Sequence, residues 1–566
     1  MFPDSNFMSV LETPVLLDMI CDNLVETALC QCILVCKLWF ALFMPYRWRY
    51  VSFDEQRPPT GVSSLMPLFR RMRLLSRDFS GQHPTVIQLC AHWIRRLQLL
   101  SVPISKFLDP NVICSNLTRL KYQLEEKGGS NHSLDAIRML AKHPRLTHVL
   151  LAGLNLSCPK AGAELIKILA GPGDNRVAKG QPLNRRSTNP FPNLVHLDLS
   201  SYRNVSPQLL DALLKSLPRT LRKLELALSI DEDEGLAWRE SQAEASLQDT
   251  STRYGAYEYQ EEYRLTSLMM DGRIVGIEES SFFPILSQSP ELTRLILPKI
   301  STYLVPTLAR IIKTCCPGIQ KLDTYDDYDI QNNTLLIDAC PVLEQVELMC
   351  THHLTGSFLQ TLLMRSRTLT NLAMGVQAQV ASSDIQLLMI VCSNLQVLRI
   401  HSDLDEGSGK AVLDIQDVYE SDWTCLGLYD IDIMFTYVTP SEDREGGDSK
   451  TSVKQMVEKV YRQLGRLTRL KMLAIGWLPG QLDMDVPRVD MSLTSGLGHL
   501  HGLKELQFLD IDRILECGIS EQEVEWMHLH WRNWRKLVPP CRLPGISDEP
   551  GWVGYLQLLC PYVAVN

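Results

Sequence analysis

This sequence predicts an α/β solenoid, a curved horseshoe with parallel strands on its concave face and helices on its convex face. Three observations predict it. A phrase of the form Leu-x-x-Leu-x-Leu, or a close variant, starts at Leu265, Leu292, Ile319, Leu343, Leu369, Leu395 and Trp423, at intervals of 27, 27, 24, 26, 26 and 28 residues. The chain between phrases carries apolar residues at helical spacing. Prolines close several of those helices just before the next phrase, where they remove a helical donor and push the preceding residue out of the helical region.

A period of about 20–29 residues with this phrase is the signature of a leucine-rich repeat. The phrase alternates apolar and variable residues, the period of a strand with one face buried. In LTRLIL, Leu295 and Leu297 are expected to point inward, and Arg294 and Ile296 outward. One repeat cannot bury its leucines alone, so stacked strands form a parallel sheet whose return connections are long crossovers. Those crossovers read as helices. Leu209, Leu210, Leu213, Leu214 and Leu217 form one stripe, and Leu304, Leu308, Ile311 and Ile312 another. Phe358, Leu359, Leu362 and Leu363 form a third, and Ile385, Leu388 and Met389 a fourth. The prolines that end helices follow His143, Phe191, Ser289, Cys316 and Cys340.

Further phrases start at Ile94, Leu117, Leu146, Leu194 and Leu221 upstream and at Leu470 and Leu503 downstream, fourteen in all. Three intervals are nearly doubled, at 48, 44 and 47 residues, and each holds a polar insertion, near 171–190, 229–263 and 439–452. Their low apolar content reads as mobile loops. The organisation expected is a helical domain over 1–55, a helical linker or N-terminal cap over 56–92, the repeat array over 93–515, and a C-terminal cap and tail over 516–566.

A single core does not extend over 566 residues, but a solenoid escapes that limit because each repeat touches only its neighbours. The net charge of −9 argues against nucleic acid as a partner, since that role calls for a basic face. The first residues carry no charged n-region or apolar h-region, and the most apolar run, 29–44, is short and contains Gln31 and Lys37. Neither secretion nor a membrane partner is expected, and the location expected is cytoplasmic or nuclear. The 16 cysteines then read as reduced thiols packed as small hydrophobes.

Chemistry is sought and not found. The sequence holds no phosphate-cradling Gly-x-x-x-x-Gly-Lys-Ser/Thr, no Gly-x-Ser-x-Gly, no His-Glu-x-x-His and no Gly-x-Gly-x-x-Gly. Cys350-x-His352-His353 lacks a second ligand cluster and reads as a polar turn, and Cys30-x-Cys32-x3-Cys36 reads as core thiols. No catalytic residue, metal or cofactor is expected. Trp526, His530 and Trp534 fall at i, i+4 and i+8, a stripe that suits a capping helix better than an aromatic clamp.

Ahead of the repeats, residues 11–53 read as a three-helix unit too small to hide all its large apolar side chains, so some should meet a partner. Pro14 suits a first helical turn, Leu16, Leu17, Ile20 and Leu24 share a stripe, a second helix starts near Glu26, and Pro45 is expected to end the apolar run.

This segment resembles an F-box. Pro14, Leu16, Leu17 and Ile20 match the family's first helix, Leu24 and Leu29 its turn region, Val35-Cys36-Lys37-x-Trp39 its diagnostic stretch, and Trp48 its closing Trp. Val15 stands at the usual Glu position and Arg47 at the usual Leu. An F-box followed by leucine-rich repeats is similar to the substrate receptors of SCF-type cullin–RING ubiquitin ligases. The resemblance implies that the helical domain docks on a Skp-type adaptor, and through it the cullin–RING ligase, while the repeats hold a protein target and other subunits supply catalysis by proximity. The alternatives are that the helices only cap the first repeat, and that the chain is an interaction scaffold without a ligase role.

A target would meet the outward strand positions: His196, Asp198, Lys223, Glu225, Arg294, Ile296, Lys321, Asp323, Gln345, Glu347, Val397, Arg399, Glu505 and Gln507. Asp198, Glu225, Arg294, Asp323, Gln345, Glu347 and Arg399 are the candidate contacts. The acidic members, Asp198, Glu225, Asp323 and Glu347, suggest a target with a basic surface.

Overall fold

A computed structural model describes residues 13–24, 26–54, 91–100, 113–124, 130–171, 191–201, 204–231, 233–238, 240–241, 262–272, 274, 277–324, 329–350, 356–376, 381–401, 412–437, 449–477, 489–514, 517–539 and 551–565. The expected linker over 56–92 and most of the three insertions lie outside these residues. The chain divides into two compact units, Met1–Leu292 with Pro298–Ile300, and Thr293–Leu297 with Ser301–Asn566.

The first unit opens with helices α1 (Pro14–Asn23), α2 (Glu26–Val35) and α3 (Lys37–Arg47). Seven strands follow: β1 (Tyr50–Asp54), β2 (Arg96–Leu100), β3 (Arg119–Gln123), β4 (His148–Leu154), β5 (His196–Ser201), β6 (Lys223–Ala227) and β7 (Ser267–Asp271). Each pairs in parallel with the next in chain order. Strand β1 was not foreseen. Trp48 opens its phrase, and the Arg49 carbonyl accepts the amides of Arg95 and Arg96, as the corresponding carbonyl does in later repeats. Pro45 does not end α3, which continues to Arg47. A proline so near the end removes only one of the last helical donors.

The second unit contains β8 (Arg294–Leu297), β9 (Lys321–Thr324), β10 (Gln345–Cys350), β11 (Asn371–Val376), β12 (Val397–His401), β13 (Val412–Asp414), β14 (Asp430–Thr436), β15 (Met472–Trp477), β16 (Phe508–Ile514), β17 (Lys536–Val538) and β18 (Ala564–Val565). All pair in parallel. Strand β14 takes β12 at its start and the inserted β13 along its far end. Pairing continues to Val565, so two further strands occupy the expected cap and tail.

The inward positions of the phrase form the core. In β5, Leu197 and Leu199 are buried between half-buried His196, Asp198 and Ser200, and the other strands of the first unit repeat the alternation. Fully burying one such side chain is worth about 1.5–3 kcal/mol, repeated along each array. The three long intervals are true insertions, because β4 pairs directly with β5, β6 with β7 and β14 with β15. The third is partly ordered, for the helix Ser449–Arg466 starts inside the segment expected to be a loop. Its apolar positions from Val453 to Leu464 pack inward.

Twelve of the fourteen expected phrases stand two residues ahead of a strand, and two are out of register. The strand expected from Trp423 starts at Asp430, so its phrase opens at Leu428, and that expected from Leu503 opens at Leu506. The preceding turn sets the register. The residue three before the phrase is buried, and its carbonyl accepts the amide of the first phrase residue: Cys114 from Leu117, His143 from Leu146, Phe191 from Leu194, Cys392 from Leu395, Cys425 from Leu428 and Leu503 from Leu506. His143 fits there because its Nε2 accepts the Cys114 amide at 3.0 Å and its Nδ1 donates to the Met139 carbonyl at 2.7 Å.

The cysteines of this turn, Cys114, Cys316, Cys340, Cys392, Cys425 and Cys560, are buried and form no disulfide. Burial pushes the thiols of Cys114 and Cys392 up to about 11, and those of Cys316, Cys340 and Cys425 up to about 12. They pack as small hydrophobes. Among the described residues no helix is long and apolar enough to cross a membrane.

Candidate functional site

The N-terminal helices divide their apolar residues between two environments. Leu17, Cys21, Leu29, Ile33, Phe43, Met44 and Trp48 are buried. Val15, Leu16, Met19 and Ile20 occupy the other side of α1 and are exposed, Val15 by 67%. At the α2–α3 junction Leu34, Val35 and Leu38 are also exposed. The expected stripe of Leu16, Leu17, Ile20 and Leu24 is therefore split: Leu17 faces in, Leu24 is half-buried, and Leu16 and Ile20 face water. Cys36 is exposed and is not a core thiol. It caps α3, its Sγ accepting the Trp39 amide at 3.5 Å. Trp39 is half-buried, its ring 5.3 Å from that of Phe43. The side chains of Pro14 and Lys37 lie outside the described residues. Arg49 Nη1 stands 3.7 Å from Asp18 Oδ1, linking α1 to the start of β1.

On the outward face of the first unit, register aligns the first strand positions as Arg96, Arg119, His148, His196 and Lys223. The next outward positions align Gln98, Lys121, Leu150, Asp198 and Glu225. The structure thus brings Asp198 and Glu225 together on adjacent strands. Burial, then the Glu225 charge, pushes Asp198 up to about 6, so below that pH it holds a proton that it can donate to Glu225. For Glu225, burial acts upward but is outweighed by the hydrogen bond and charge of Lys223, with help from His196 and Asp198, and the net direction is down. Lys223 Nζ lies 2.5 Å from Glu225 Oε1.

His196, Asp198 and Glu225 offer three ligand atoms within 4.8 Å of one another. The Lys223 ammonium already occupies the Glu225 carboxylate, and Lys121 lies near Asp198. The cluster therefore suits a shared proton and an ammonium better than a divalent cation.

In the second unit Arg294, Asp323, Gln345 and Glu347 lie on neighbouring strands, with Arg294 opposite Lys321, and Asp323 opposite both Ile296 and Glu347. Several positions differ from expectation. Ile296 and Asp323 are buried although they alternate outward. Burial raises the Asp323 carboxyl, and Lys321 Nζ, 3.2 Å from its Oδ2, opposes that shift. Arg399 is committed within the sheet, its Nε donating to Asp430 Oδ2 at 3.0 Å. Arg513 likewise grips Asp432, with Nη1 2.9 Å from Oδ1 and Nη2 3.1 Å from Oδ2. Glu505 and Gln507 precede β16 and are not outward strand positions, a consequence of the register at Leu506. Val397 is buried. Of Cys350-x-His352-His353, the two histidines lie outside the described residues.

Sequence reasoning overlooked Arg96, Arg119 and Lys121, which belong to the same outward rows. The signal was present, since all three occupy variable positions of expected phrases (IRRLQL, LTRLKY). The C-terminal aromatic stripe is interrupted. The helix Glu521–His530 carries Trp526 stacked on His530 at 4.4 Å, but Trp534 lies beyond it, buried, and opens the phrase of β17.

No family model and no curated protein matches the chain. Among solved structures it is similar to a leucine-rich-repeat protein of Leptospira interrogans, at 12% identity over 87% of this chain and 94% of that one, with a TM-score of 0.30. It is also similar to the yeast Rad7 and Elc1 complex, at 10% identity over 89% of this chain and 96% of that one, with a TM-score of 0.35. Both scores fall below those of a shared global arrangement, and the repeat architecture rests on the strand pairing: each unit is an array of leucine-rich repeats with a parallel sheet and crossover helices.

Proposed function

We propose that this chain is a non-catalytic receptor that holds a protein target on its repeats and docks through α1–α3 on a Skp-type adaptor of a cullin–RING ubiquitin ligase. The supporting observation is the set of exposed apolar side chains, Val15, Leu16, Met19, Ile20, Leu34, Val35 and Leu38, on a small helical unit directly ahead of the first repeat strand. Large apolar groups held in water on one element mark a contact surface. In this reading Leu17, Leu29 and Trp48 hold the helices together, whereas Leu16, Ile20 and Val35 meet the adaptor. No catalytic step is assigned to the chain, which acts by bringing target and ligase together.

Co-expression with a Skp-type adaptor tests it. Wild type is expected to co-purify, and Ile20→Asp with Val35→Asp to lose the adaptor while keeping its thermal midpoint, because both side chains are already exposed. If wild type fails to bind, the ligase role falls and an interaction scaffold remains. If the double variant binds as wild type does, the assigned face is wrong.

A further inference from the structure

The first unit carries a concentration of positive charge that the overall balance of −9 conceals. Across β2–β6 the first outward positions are Arg96, Arg119, His148, His196 and Lys223, each opposite the next in register. Lys121 stands in the second row. At the ends of the strands where this row begins, Arg95, Arg145 and Arg222 are exposed, and Arg95, Arg96, Arg119 and Arg145 line a recess of 460 Å³. A larger recess of 1420 Å³ alongside it is lined by Arg145, Arg219, Arg222 and Arg264, with Glu262 and Glu291. The two carboxylates in the outward rows offset this charge only at its β5–β6 end. Asp198 is protonated up to about pH 6, and Glu225 is taken by Lys223. Among the described residues no carboxylate forms an ion pair with Arg96, Arg119 or Lys121.

We propose that the outward face of β2–β6, with its arginine rim, binds an extended acidic segment of a partner protein. Four strand spacings make the row about 19 Å long, the reach of about six extended residues. Leu150 gives the second row an apolar position for a side chain between charges. A nucleic acid is the poorer fit: its phosphates continue beyond so short a row, and Asp198, Glu225 and a net negative chain would repel the extension. The inference reverses the sign expected from the acidic positions alone. It names the chemistry of the captured partner, and so rests on the repeats being the capturing arm.

The two histidines give the binding a pH signature. Burial, then the charges of Arg119, Arg96 and Lys223, hold His148 below the ordinary imidazole range, and Thr147 Oγ1 lies 2.9 Å from its Nδ1. Burial, then Lys223, hold His196 down, with His148 and Arg119 acting the same way and Glu225 opposing them. An acidic segment laid over both rings favours their charged forms, so binding takes up protons and tightens as pH falls. Asp198 acts in the same direction, since its own protonation removes a negative charge.

The test is fluorescence polarisation with the full chain and three labelled probes: a deca-glutamate peptide, a deca-lysine peptide and a single-stranded oligodeoxynucleotide. The glutamate peptide is expected to bind, to weaken with added salt, and to weaken about tenfold in Arg96→Glu with Arg119→Glu. Its affinity is expected to rise between about pH 8 and about pH 6, with most of that slope lost in His148→Gln with His196→Gln. Arg96→Gln with Arg119→Gln, a milder change, guards against a folding defect and is expected to fall between wild type and the reversal. Equal binding of the lysine peptide, glutamate binding unaffected by the arginine variants, or no glutamate binding would overturn the proposal. Preference for the oligonucleotide over the glutamate peptide would overturn it in favour of nucleic acid. No adaptor is present, so the outcome is separate from adaptor capture: peptide binding without adaptor capture leaves this face standing alone.

Discussion

Trp423 offers the sharpest test of how the second unit is held. Its side chain is fully buried, and its indole Nε1 donates to Gln386 Oε1 at 2.9 Å. Gln386 is itself buried, on the helix Ser382–Val391. The Trp423 amide donates to Gln463 Oε1 at 3.4 Å, and Gln463 Nε2 donates to the Ser421 carbonyl and Asp422 Oδ1 at 3.1 and 2.7 Å. A buried polar network of this kind stabilises when complete and is costly when one member loses its partner. Trp423→Phe keeps an aromatic ring but leaves Gln386 Oε1 without its donor, which costs about 1–3 kcal/mol. The lost ring volume adds about 1 kcal/mol, so about 2–4 kcal/mol is expected. Gln386→Leu strands the indole N–H instead, at a similar 1–3 kcal/mol or about that. The double variant removes donor and acceptor together, and should be less destabilised than the sum of the singles by about 1–2 kcal/mol. Urea denaturation followed by circular dichroism gives the midpoints, and an unchanged slope shows that the comparison is of stability. Additive effects within about 0.5 kcal/mol would show that the two side chains do not act on each other and would refute the argument.

Three further outcomes are expected. Gly153→Ala should destabilise by about 2–3 kcal/mol in a thermal melt, because Gly153 has φ +71° and a Cβ there would lie 2.4 Å from the Leu124 carbonyl oxygen; Gly554→Ala, with nothing within 4 Å, should be neutral to slightly stabilising. Arg513→Met should cost about 3–5 kcal/mol by leaving Asp432 buried without its bidentate partner, and Arg513→Met with Asp432→Leu should recover much of the loss, measured by urea midpoint. Asp198→Asn should raise the thermal midpoint near neutral pH and lose that advantage as pH falls below about 6. The sign follows from a folded-state pKa of about 6 against 3.8 for an ordinary aspartate: between them the folded state binds more protons, so wild-type stability declines as pH rises through that window. A flat difference between wild type and variant across that range would count against the shared proton.

The array was legible because its signal is local. Leucines at fixed offsets must be buried wherever the phrase occurs, and twelve phrases stand where their strands require. The two slips share a cause. Trp423 and Leu503 are large apolar residues at a plausible interval, and both are buried, but they belong to the turn or helix end before the strand. The recurring Cys three residues before the phrase would have corrected the first, since Cys425 points to Leu428 as Cys392 points to Leu395. Strand β1 and the strands from Lys536 onward were missed because Trp48, Trp534 and Val563 replace the expected leucine. The outward face was less legible. Whether Glu225 is a free anion depends on Lys223, whether Asp198 is one depends on a strand 27 residues away, and Arg399 is engaged by a residue 31 positions on. Spacing within one phrase contains none of that. The α1 stripe failed similarly, since a one-residue step separates Leu17 from Leu16, and tertiary packing chose between them.

The buried cysteine of the turn recurs at equivalent places along the chain, at Cys114, Cys316, Cys340, Cys392, Cys425 and Cys560. A protonated, enclosed thiol reacts with an alkylating reagent only when its repeat opens. Because stability in such arrays is set repeat by repeat, the labelling rate of each cysteine clocks the local opening of its own turn. The natural chain therefore contains a calibrated series of breathing sensors: mass spectrometry of pulse-alkylated peptides would map where each array frays first, and which turns a bound partner silences, without a single substitution.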